Sequence, residues 1–131
     1  MAEKKFDLAK EHELALAVMN LAAAEEHLAF TAGKTGKPEL VDFYNEIRAL
    51  RSKYMDKIVK NKDGENWCVS KHLLVSAMHL IETAVKHGAA GEKKQATEMF
   101  ADAVDVFRSF WLLQEFGEKN EHNGKPRRKI P

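Results

Sequence analysis

The stretch NWCVSKHLLVSAMHLIETAVKHGAAG, residues 66–91, decides the fold. In it Val69, Leu73, Leu74, Ala77, Met78, Leu80, Ile81, Ala84 and Val85 recur at intervals of one to four. At about 100° per residue they cover roughly half the circumference of a helix. His72, His79, Glu82 and Lys86 take the opposite half. Gly88 is the expected stop, since glycine enters left-handed backbone without a Cβ clash, and Gly91 makes the break a short turn.

The same pattern extends outward in both directions. Residues 7–31 read as a first helix, with Asp7 as its cap and Leu14, Val18, Leu21 and Leu28 as its inner stripe. Gly33, Gly36 and Pro38 make the following turn. Residues 38–60 read as a second, one-sided helix. Phe43, Ile47, Leu50, Tyr54 and Ile58 share one face of it, opposite Asp42, Asn45, Glu46, Lys53 and Asp56. NKDGEN, residues 61–66, has strong turn chemistry. A fourth helix is expected over residues 92–116, with Phe100, Ala103, Val104, Phe107 and Trp111 inward and Gly117 as its end. Short turns make neighbouring helices antiparallel. The expectation is therefore an all-α chain, an antiparallel up-down-up-down four-helix bundle over residues 1–117. Residues 118–131 are expected to form a flexible basic C-terminal tail.

Composition narrows the function classes. A chain of 131 residues is long enough for one real core. Its 44% hydrophobic and 31% charged residues are those of an ordinary folded protein. A net charge of +1 argues against a general nucleic-acid binder. The positive charge collects at the end, where Lys119, Lys125, Arg127, Arg128 and Lys129 outnumber Glu118 and Glu121. Any nucleic-acid contact is thus expected only through the tail. The lone Cys68 cannot form an intrachain disulfide. No stretch reads as a signal peptide or a membrane span, so a cytoplasmic location and no membrane partner are expected.

Apolar residues exceed what a lone bundle can cover. Phe107, Phe110, Trp111, Leu112, Leu113 and Phe116 point in nearly every direction around the last helix. A helix apolar all round must be covered on more than one side. Leu8, Leu16, Leu73, Leu112, Leu113 and Phe116 are therefore expected to form a partner surface, most simply that of a homodimer.

Glu25 is the oddest polar residue, midway between Leu21 and Leu28 on the inner stripe. A carboxylate there needs a partner. Tyr44, Arg48 and Arg51 on the second helix are candidates for it. The alternative makes Glu25 a ligand of a divalent metal together with His79 and Glu82, whose spacing places both on one helix face, with Tyr44 or Glu98 in support. Ferritin-like di-iron bundles use Glu-x-x-His on two helices. No histidine in this chain has a glutamate three residues before it. Cys68 and His72 share a face, yet one thiolate makes a weak metal site. A helical bundle of this size resembles HEPN-type domains, which implies an RNA-associated protein. The histidine of that family, four to six residues after a late-helix arginine, has no counterpart after Arg108, where Leu112, Leu113 and Gln114 stand. The leading expectation is a non-enzymatic, self-associating module. A metal- or small-ligand-binding bundle is the second reading, and an RNA-associated protein the third.

Overall fold

The computed structural model describes the backbone of residues 8–122 and the side chains of residues 9–115. It is all-helical among the described residues, with α1 (Leu8–Thr35), α2 (Glu39–Ile58), α3 (Asn66–Ala89) and α4 (Lys93–His122). The expected cap Asp7 and residues 123–131 of the expected tail lie outside the described residues. The chain forms two units, one helical hairpin of α1 with α2 and a second of α3 with α4, residues 59–65 belonging to the second.

The turns fall later than the glycines suggest. α1 runs straight through Gly33, and Gly36 takes the left-handed conformation (φ 68°), its amide donating to the Ala32 carbonyl at 2.8 Å. α3 likewise passes through Gly88 to Ala89, and Gly91 (φ 84°) makes the reversal. Gly88 has a different use. A Cβ built on it would stand 3.9 Å from that of Ala96, so its bare backbone sits where α3 and α4 come together. α4 also continues past Gly117 to His122.

Small residues line the contact between α3 and α4. Ser70, Ala77 and Ala84 are buried at seven-residue spacing on α3, and Ala96, Ala103 and Phe110 at the same spacing on α4. Seven residues make nearly two turns, so each set forms one seam along its helix. Ser70 bonds to Gln114, and Gly88 lies against Ala96. Both pairs belong to one antiparallel register. That register sets the large Leu74 level with Phe110, and the small Ala84 level with Phe100.

In the first hairpin the buried line of α1 is Ala15, Val18, Ala22 and Glu25, with Met19 beside it. This corrects the expected stripe, of which only Val18 is buried while Leu14, Leu21 and Leu28 are half-buried. On α2 the buried residues are Arg51, Met55 and Ile58. Phe43 and Leu50, expected inside, are 57% and 43% exposed. Both helices bury a mixed line, with Val18, Met19, Met55 and Ile58 inside beside alanines and the polar Glu25 and Arg51, and both carry a second apolar line on a flank.

Two substitutions test the seams by urea denaturation. Ala77→Leu should overpack the α3–α4 contact and cost about 1–3 kcal/mol. Phe110→Ala, at a side chain with no exposed surface, should cost about 3–5 kcal/mol.

Candidate functional site: buried polar pairs and open apolar flanks

Glu25 is 6% and Arg51 3% exposed. The Arg51 guanidinium donates through Nε to Glu25 Oε2 at 2.7 Å and through Nη2 to Glu25 Oε1 at 3.0 Å. Both carboxylate oxygens are thus held in a forked pair, the geometry that suits guanidinium and carboxylate best. Arg51 Nη1 lies 3.9 Å from Met55 Sδ, one turn further along α2. Of the partners considered for Glu25, Arg51 is the one found, while Tyr44 is half-buried and Arg48 exposed. A first helix ending near residue 31 would set Tyr44 level with Glu25. The extension of α1 to Thr35 moves the turn and advances the register by about two helical turns.

The second hairpin has its own buried polar centre. Gln114 Nε2 donates to Ser70 Oγ at 3.0 Å and to the Phe110 carbonyl at 2.8 Å. Its Oε1 accepts from the backbone amide of Lys60 at 3.0 Å. One amide side chain thereby ties α3, α4 and the segment before α3 together. The same segment is shaped by Asn61, whose side-chain oxygen accepts from the Asp63 amide at 3.1 Å, and by Gly64 at φ 58°. At the other end of the hairpin, His87 Nδ1 and Glu92 Oε1 stand 2.6 Å apart across the turn.

The three residues read as metal ligands are placed apart in kind. Glu25 belongs to the first hairpin and spends both oxygens on Arg51. His79 and Glu82 are exposed on α3 of the second, as is Glu98 on α4. Among the described residues no three of histidine, cysteine, aspartate and glutamate come together as an ion would need. Cys68 is exposed, one residue from the exposed Val69.

Of the residues expected at an interface, Leu112 is 56% exposed, and Leu16, Leu73 and Leu113 are half-buried. The side chains of Leu8 and Phe116 lie outside the described residues. Helical spacing sets Leu73 and Leu113 on one face of the second hairpin and turns Leu112 away from α3.

The larger open surfaces were missed by sequence reasoning. Val85 on α3 is 54% exposed, and Phe100 and Val104 on α4 are 42% and 55% exposed. The α3–α4 register puts these three on one side of the hairpin, near its turn. Phe107 and Trp111 continue the α4 line, with their rings edge to face at 5.8 Å, and Trp111 meets the buried Phe110 edge to face at 4.8 Å. On α2 the line is Phe43, Ile47, Leu50 and Tyr54. Both lines have spacings of four, three and four, the mark of a helix face built to meet another helix. The sequence carried this signal, but Phe43, Ile47, Leu50 and Tyr54, like Phe100, Val104, Phe107 and Trp111, were expected to face inward.

No described helix is long and apolar enough to cross a membrane. Comparison with protein-family models, curated proteins and solved structures finds no match.

The buried ion pair gives a sharp test. Arg51→Met should cost about 3–5 kcal/mol, because it strands a buried carboxylate. The double change Glu25→Met with Arg51→Met should recover most of that loss in the same denaturation assay.

Proposed function

We propose that this chain is a non-enzymatic, self-associating helical module that works in binding or assembly. One observation carries the reading: large apolar side chains lie open on helix flanks at regular helical spacing. Phe43 and Leu50 do so on α2, and Phe100 and Val104 on α4. Single exposed apolar residues are ordinary, whereas ordered lines of them mark surfaces that meet a partner. The buried polar groups support the same reading. Glu25 and Arg51 satisfy each other, and Gln114 spends its amide on Ser70, Phe110 and Lys60. These are bonds that hold helices together.

The up-down-up-down four-helix arrangement belongs to this proposal. Each helix has apolar residues for more than the one neighbour its hairpin supplies. Burying a flank residue such as Phe100 or Leu50 contributes about 1.5–3 kcal/mol. A few such side chains on each copy suffice for association in the micromolar range.

Sedimentation velocity on the full chain tests the proposal. The weight-average mass should rise from 14.9 kDa towards about twice that value as concentration increases over several decades. A mass that stays at the monomer value at every concentration would overturn it.

A further inference from the structure

We draw no further inference here: the strongest candidate, the apolar flank of α1 and α2 through Leu14, Leu21, Phe43 and Leu50, carries nothing because nothing in the structure shows what covers it.

Discussion

Close approach of helices through small side chains is the constraint on which the rest of this structure depends. Ser70, Ala77 and Ala84 face Ala96 and Ala103 across the second hairpin, and Gly88 lies beside Ala96 near the turn. Ala15 and Ala22 do the same for α1. A seam of methyl groups draws backbones together and leaves little room between them. Large side chains at neighbouring positions are then displaced to the flanks, where Leu14, Phe43, Leu50, Phe100 and Val104 are found.

Narrow seams also explain where the polar residues sit. A forked ion pair and a side-chain amide are among the few polar groups that can bridge two close helices with every bond made. Glu25 with Arg51 fixes the register of one hairpin, and Gln114 with Ser70 fixes that of the other. An apolar seam of alanines tolerates sliding by a full heptad, because each repeat resembles the next. A single buried polar contact removes that freedom, since any other alignment strands a charge or a donor.

The four helices were legible from spacing alone, because apolar residues at three and four are hard to produce otherwise. Their ends were not. Gly33 and Gly88 looked like stops, yet Gly36 and Gly91 take the left-handed backbone; two glycines three residues apart give the sequence no way to choose. The inner faces were misread on α1, α2 and α4, where bulk, as the mark of burial, set Leu14, Phe43, Leu50, Phe100 and Val104 inward. On α1 and α2 alanine, Glu25 and Arg51 go inside together with Val18, Met19, Met55 and Ile58, while Phe43 and Leu50 are exposed. Glu25 stood out in the sequence because it broke an apolar stripe, and Arg51 was among its three candidate partners. Gln114 gave no such sign. It lies four residues, about one helical turn, after Phe110, and only that step from the Ala96–Ala103–Phe110 line marks it as inward.

Gln114 has one further consequence. The Lys60 amide belongs to an irregular segment, where backbone hydrogen bonds ordinarily break and re-form by local fluctuation. Here its acceptor is a side chain that is itself anchored to α3 and to α4. That proton therefore exchanges when the segment lifts off Gln114 or when α3 and α4 separate, so a loop position is coupled to the polar centre of the second hairpin.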